Sequence, residues 1–240
     1  MSTADGFINI DRSYRNVGRW IIRTAIRDEF RQVYPLLEGR LLDAGCGRMP
    51  YRQEVLSRSA VTSYVGLDIE NAIPYDENVQ PDQRWDGVTM PFEDALFDCA
   101  IATEVLEHLP DIQRFLKEIK RVVRPGGRFF FTTPFLWSYH EVPYDFQRMT
   151  VFGLREHLSR AGFQQIKVKA IGNWHSTLAL MLGLWVERAP LVWGLRRLLR
   201  YLVLGLQQVL MKFDAPSDEM ERSMCYMCSG TAIVPKTDEE

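Results

Sequence analysis

The densest run of reactive side chains in the sequence is His140-Glu141-Val142-Pro143-Tyr144-Asp145-Phe146-Gln147-Arg148-Met149-Thr150. An imidazole is the side chain whose unperturbed pKa makes it a ready base near neutrality. His140 is therefore the candidate general base, Glu141 or Asp145 can orient it, and Arg148 can hold an anionic group. The alternative is a capped loop, with Thr150 as an N-cap and Asp145–Arg148 as a surface pair. A second centre is Leu41-Leu42-Asp43-Ala44-Gly45-Cys46-Gly47, an apolar run ending in Gly-x-Gly. Glycines there let a backbone turn tightly and approach a ligand, which is a nucleotide-binding signal when a helix follows. Asp68 closes the next apolar run, Tyr64–Ile69, roughly 20 residues on, where a neighbouring parallel strand presents a carboxylate to a ribose hydroxyl. His108 reads as a packing residue at a helix start, and no metal-ligand set is read.

These residues need a frame that brings strand ends together. Strands are expected at Leu41–Ala44, Tyr64–Ile69, Phe97–Ala102, Arg128–Thr133, Phe163–Ile171 and Met224–Val234, with a short one near Arg84-Trp85. Helices are expected between them: Tyr51–Ser59 behind Pro50, an amphipathic helix opened by Pro110-Asp111 and stopped by Pro125-Gly126-Gly127, and Val151–Arg160. Alternation of this kind implies a doubly wound α/β fold with a mostly parallel sheet of seven strands. The last two strands lack such a connecting helix, so the last is expected antiparallel, after a helical insertion. In open α/β sheets ligands bind beyond the carboxyl ends of the strands, where both motifs lie.

With 240 residues the chain fits one domain, 1–240. Residues 13–37 read as an N-terminal helix that either packs or serves as a lid carrying Tyr14 and Arg15, behind a loose tail over residues 1–12. A net charge of −2 leaves no electrostatic footprint for nucleic acid. Four cysteines are too few for a disulfide scaffold. Cys225-x-x-Cys228 lacks a second ligand pair and reads as part of a strand. The polar N-terminus implies a cytoplasmic setting. The insertion, residues 174–222, is apolar and helical, but charges interrupt it short of the ~18 residues of a spanning helix. Over 174–213 its broad Leu/Trp face, with Arg196, Arg197, Arg200, Gln207, Gln208 and Lys212 toward the other side, predicts packing on the sheet, on a second copy as a homodimer, or on a membrane surface as a peripheral protein.

In their order these motifs resemble the class I S-adenosylmethionine-dependent methyltransferases, small-molecule branch, from about Leu41 to Phe163 and again in the last strand. The resemblance implies S-adenosylmethionine as cofactor. It implies that Asp43, Gly45, Cys46 and Gly47 belong to the turn cradling the methionine part. Asp68 would meet the ribose, with Ile69 beside it in the cofactor site, Asp86 and Gly87 the adenine, and Thr103 the methionine end, just before Glu104-Val105-Leu106-Glu107-His108-Leu109. Met49 stands where that motif often has a third glycine. Methyl transfer then goes to a small-molecule, sugar or lipid-linked acceptor, most plausibly at a hydroxyl, which needs a base. A nicotinamide-dependent oxidoreductase would want glycine where Pro50 stands. A non-catalytic assembly protein retaining the fold is the alternative reading.

Overall fold

The computed structural model describes residue 8 and residues 10–70, 79–215 and 224–236. Most of the expected tail over 1–12 and of the polar stretch 71–83 lies outside the described residues, as does the end of the chain after Lys236. Seven strands form one sheet: β1 (Glu38–Ala44), β2 (Ala60–Ile69), β3 (Gln83–Trp85), β4 (Phe97–Thr103), β5 (Val123–Pro134), β6 (Gln164–Ile171) and β7 (Met227–Ile233). Their order is β3-β2-β1-β4-β5-β7-β6. β7 runs antiparallel to both of its neighbours, as expected, and the other pairings are parallel. Chain progression reverses between β1 and β4, which opens a crevice at their carboxyl ends.

The central strands are buried on both faces and read as unbroken apolar runs. Leu41, Leu42 and Ala44 of β1 and Ala100, Ile101 and Ala102 of β4 have no exposed surface. α1 (Trp20–Val33), α2 (Arg52–Arg58) and α5 (Trp174–Arg188) cover one face, with Phe30, Val55 and Leu180 in one core with Leu41 and Phe130. α3 (Ile112–Val122) and α4 (Val151–Arg160) cover the other, with Phe115, Leu116, Leu154 and Leu158 beside Phe129 and Phe131. Asp111 caps α3 by accepting the Arg114 N–H at 3.0 Å, and Thr150 caps α4 by accepting that of Gly153 at 3.1 Å.

Three boundaries differ from expectation. α1 begins at Trp20, and residues 13–19 form turns rather than helix. β5 begins at Val123, so Pro125-Gly126-Gly127 lies inside the strand, beside a register shift against β4. In α6 (Trp193–Lys212) the buried side is Val203 and Gln207, while Leu198, Leu202, Leu206 and Val209 are exposed. The leucine face expected to pack is therefore mostly outside, and a glutamine placed on the polar side is inside. Gln207 explains the inversion. Its Nε2 donates to the carbonyls of Val17 (2.7 Å) and Ala179 (2.9 Å), and its Oε1 accepts the Trp20 indole N–H at 2.8 Å. Gly183 lets α5 pass beside the same strap, since a Cβ there would collide with the Val17 carbonyl.

Candidate active site

At the end of β1 the chain turns through Gly45 (φ 85°) and Gly47 (φ 50°). A Cβ on Gly45 would stand 2.5 Å from Val105, so the turn needs glycine. The N–H groups of Gly45 and Cys46 both donate to the Leu67 carbonyl, at 2.8 and 3.0 Å, tying the turn to β2. The Gly47 N–H donates to Asp68 Oδ2 at 2.9 Å, and the Ile69 N–H to Asp68 Oδ1 at 2.8 Å. Burial raises the Asp68 pKa, against the pull of those two donors. Met49 keeps a glycine-like φ of 51°, and its sulfur, with that of Cys46, fills the space over Gly66. The missing glycine thus leaves the backbone path intact while the side chain turns into the core.

Asp43 is buried and accepts a hydrogen bond from the Tyr64 hydroxyl. Burial pushes its pKa up to about 7. Its carboxyl therefore supports the turn from the core. Asp86 Oδ1 accepts the Val88 and Thr89 N–H groups at 2.8 and 3.1 Å, shaping its own turn. Ile69 and Trp85 are paired in register, which places Gly87 next to the Ile69 side chain. Thr103 ends β4, and its buried hydroxyl has no hydrogen-bond partner. The strands thus gather Gly45, Gly47, Asp68, Ile69, Asp86, Gly87 and Thr103 at their carboxyl ends.

Beyond β4, Glu104 takes a positive φ of 55° and its carboxylate accepts from Thr132 at 2.8 Å. A 3-10 turn, Leu106–His108, follows. The loop after β5 is stitched onto this turn. Phe146 and Gln147 N–H groups donate to the Glu107 carbonyl at 3.0 and 3.3 Å, and the Gln147 amide to the carbonyls of Leu106 and Leu109 at 3.1 and 2.8 Å. His140 consequently lies against His108, rings 4.7 Å apart and steeply inclined. Fully buried Glu107 accepts from Thr133 through Oε2 at 3.2 Å. Its Oε1 is 3.6 Å from His108 Nε2 and 3.8 Å from His140 Nε2. Burial and then Glu104 raise the Glu107 carboxyl well above the usual range. Burial and then His108 lower His140.

The other residues expected at this loop have distinct places. Asp145 Oδ2 accepts the His140 backbone N–H at 3.1 Å and lies 3.4 Å from its Nδ1. Arg148 grips Asp145 with two hydrogen bonds, of 2.5 and 2.8 Å, and holds its carboxyl down at about 2. Arg148 is thus engaged with Asp145. Glu141 Oε2 stands 3.6 Å from His108 Nε2. A cavity of about 530 Å³ opens beside His140. Its wall holds Arg15, Arg19, Arg23, Arg188 and Arg200 against one acid, Glu187, with Trp137 and Leu184 as apolar lining. Sequence reasoning missed that wall, because its arginines come from two stretches about 170 residues apart and converge only in the fold, through the Gln207 contacts, the Tyr14–Tyr201 stack and the Val17–Val186–Val203 cluster. It also missed Glu107 and His108. Their signal was available: two acids and a histidine within five residues directly after a central strand.

Comparison with known proteins bears on these geometries. Residues 42–131, from β1 to β5, match the methyltransferase domain family. Over that stretch the chain is similar to the class I S-adenosylmethionine-dependent methyltransferases. The 27-O-demethylrifamycin SV methyltransferase of Amycolatopsis mediterranei is 33% identical over 115 residues, 44% of this chain and 42% of that one. The human mitochondrial ubiquinone biosynthesis O-methyltransferase is 33% identical over 116 residues, 41% of this chain and 30% of that one. The matches thus span less than half the length of each of these curated relatives. Among solved structures, phosphoethanolamine N-methyltransferase 2 of Haemonchus contortus, with phosphomonomethylethanolamine and S-adenosylhomocysteine, aligns with a TM-score of 0.56 at 18% identity over 97% of this chain and 56% of that one. An S-adenosylmethionine-dependent methyltransferase from Archaeoglobus fulgidus aligns with a TM-score of 0.55 at 14% identity over 95% and 97%. These two likenesses show the methyltransferase fold.

Proposed function

We propose that the protein methylates a hydroxyl of a small anionic acceptor, using S-adenosylmethionine. The residues present fit the cofactor. A glycine turn, a strand-end carboxylate and an unpartnered threonine hydroxyl lie at adjacent strand ends. Asp68 would hold the ribose and Ile69, Asp86 and Gly87 the base. Asp43, Gly45, Cys46, Gly47 and Thr103 would shape or meet the methionine end. When bound, S-adenosylmethionine supplies a methyl group on a sulfonium, whose C–S bond breaks with its electron pair staying on sulfur as the acceptor oxygen takes the carbon.

This chain's residues have to align the acceptor and take its proton. The observation that carries the reading is His140, which belongs both to the Glu107–His108 cluster and to the wall of the arginine-lined cavity. The five arginines suit a carboxylate or phosphate on the acceptor. The hydroxyl then lies at the cluster, where His140, aimed by Asp145, meets its proton. The two curated relatives, a 27-O-demethylrifamycin SV methyltransferase and an O-methyltransferase of ubiquinone biosynthesis, support the hydroxyl by their names. A non-catalytic protein would have no use for such a cluster.

The test is methyl-labelled S-adenosylmethionine with fractionated extract, followed by mass analysis of labelled anionic products. Asp68→Ala is expected to weaken cofactor binding in calorimetry by about 1.5–3 kcal/mol. Unchanged affinity would overturn the role of Asp68. His140→Ala is expected to slow transfer by about 10²–10⁴-fold with cofactor affinity kept. Turnover near the unmodified rate would leave the loop with a shaping role alone.

A further inference from the structure

The sequence predicts no metal site, yet the fold brings three ligand-type atoms together. One ligand atom each from Glu107, His108 and His140 lies within 4.8 Å of the others. Hydrogen bonding fixes what those atoms are. His108 Nδ1 is 2.9 Å from the Tyr144 carbonyl oxygen, which can only accept, so Nδ1 carries the ring proton and Nε2 presents a lone pair. His140 Nδ1 lies 3.4 Å from Asp145 Oδ2 without a hydrogen bond to it, and Nε2 is the ring nitrogen turned to the cluster. Both Nε2 atoms stand near Glu107 Oε1, a buried carboxyl oxygen with no hydrogen-bond partner. Polar atoms gathered in the interior with no hydrogen bond among them are a costly arrangement. One cation among them satisfies all three.

We propose that Glu107, His108 and His140 bind one divalent first-row transition ion. Two atoms each bonded at about 2.1 Å to one centre can stand up to about 4.2 Å apart. The spacings of 3.6 and 3.8 Å from Glu107 Oε1 fall inside that reach. Two imidazoles and one carboxylate suit zinc, iron or cobalt, whereas magnesium and calcium prefer oxygen ligands. The supporting contacts match those of metal-bound histidines, which give their second ring N–H to a carbonyl or carboxylate. Here the Tyr144 carbonyl takes that of His108, and Asp145 stands 3.4 Å from His140 Nδ1. Such a set leaves coordination positions open, and the His140 side of the cluster borders the cavity.

What the ion does rests on the methyl-transfer reading. Bound there, it holds the acceptor hydroxyl and makes it more acidic, so that its proton passes to solvent. His140 then serves as a ligand in place of accepting the proton.

The experiment uses the full chain, untagged and stripped by chelator, titrated with Co²⁺ and followed by visible absorption and imidazole NMR. The chain has four histidines, so the two ligands are separable from His157 and His175. The expected result is one equivalent bound, with ring signals of His108 and His140 displaced and the other two unmoved. Zn²⁺ should displace Co²⁺. Glu107→Gln should weaken binding beyond the roughly 10–100-fold that loss of a supporting residue costs, and Asp145→Asn should stay within it. NMR on the unsubstituted chain keeps the test valid should a variant fail to fold. No stoichiometric binding, or displacement at other histidines, overturns the proposal. Cofactor calorimetry is read separately. A chain that transfers methyl groups but takes up no ion refutes the ion alone, and one that binds the ion but no cofactor refutes the methyl-transfer reading.

Discussion

Asp43 is a carboxyl group sealed into the core, and its proton is part of the fold. The folded chain keeps that proton up to about pH 7, while an ordinary aspartate releases it near 3.8. Between those values the folded state binds more protons than the unfolded one, so stability falls as pH rises through the window. Below it the contribution is complete. Asp43→Asn keeps an acceptor for Tyr64 and is expected to remove this slope from denaturation curves taken between about pH 4 and 7. A variant with the unmodified slope would refute the assignment. At this scale the sequence was legible where chemistry is local. Gly45, Gly47 and Asp68 could be found from spacing, because backbone conformation and strand ends dictate them. The partner of Asp43 could not, since Tyr64 reaches it only once β1 and β2 pair. The same holds for Glu107, whose meaning comes from a histidine that stands 33 residues later in the sequence.

Among the elements, the helices with a one-sided apolar pattern were legible and α6 was not. α3 buries Ile112, Phe115, Leu116, Ile119 and Val122, as its periodicity predicts. α6 turns its leucine stripe outward and buries Gln207, so of the expected packing surfaces the sheet takes little of that stripe. Gln207 joins α6 to α5, to α1 and to the strap before α1, with three hydrogen bonds in the interior. Gln207→Leu orphans the Trp20 indole N–H and the Val17 carbonyl, at a cost of about 1–3 kcal/mol for each group left unpaired. The expected outcome is a clear loss of stability in urea unfolding. A weaker hold on the anionic acceptor should accompany it, because Arg15, Arg19 and Arg23 are carried by the strap and α1. A variant as stable as the original would show the knot to be dispensable.

For the whole molecule, the mostly parallel sheet of seven strands and its antiparallel β7 were legible from the alternation of elements and the missing crossover helix, and the strand order was not. The outer surface was not, because periodicity says which residues share a face and not what covers it. No described helix is long and apolar enough to cross a membrane. Yet α6 exposes Leu195, Leu198, Leu202, Leu206, Val209 and Phe213 along one stripe, with Trp193 and Arg197 stacked at its start. Such a face with flanking cations suits an interfacial helix. The chain is expected to float with anionic vesicles and less with neutral ones. Leu198→Glu with Leu202→Glu should abolish flotation and keep the fold, since both side chains are exposed. A chain that does not float and runs as a dimer by light scattering would assign the stripe to a second copy.

The Gln207 knot also sets a schedule for synthesis. Trp20 and its partner are 187 residues apart. At roughly 5–20 residues per second, the N-terminal strap waits roughly 10–40 s on the ribosome before its anchor exists. By then the glycine turn, Asp68 and the end of β4 have long been made. A nascent chain acquires the parts of its cofactor cleft early and its arginine wall late, so cofactor is available to template the growing sheet well before any acceptor can dock.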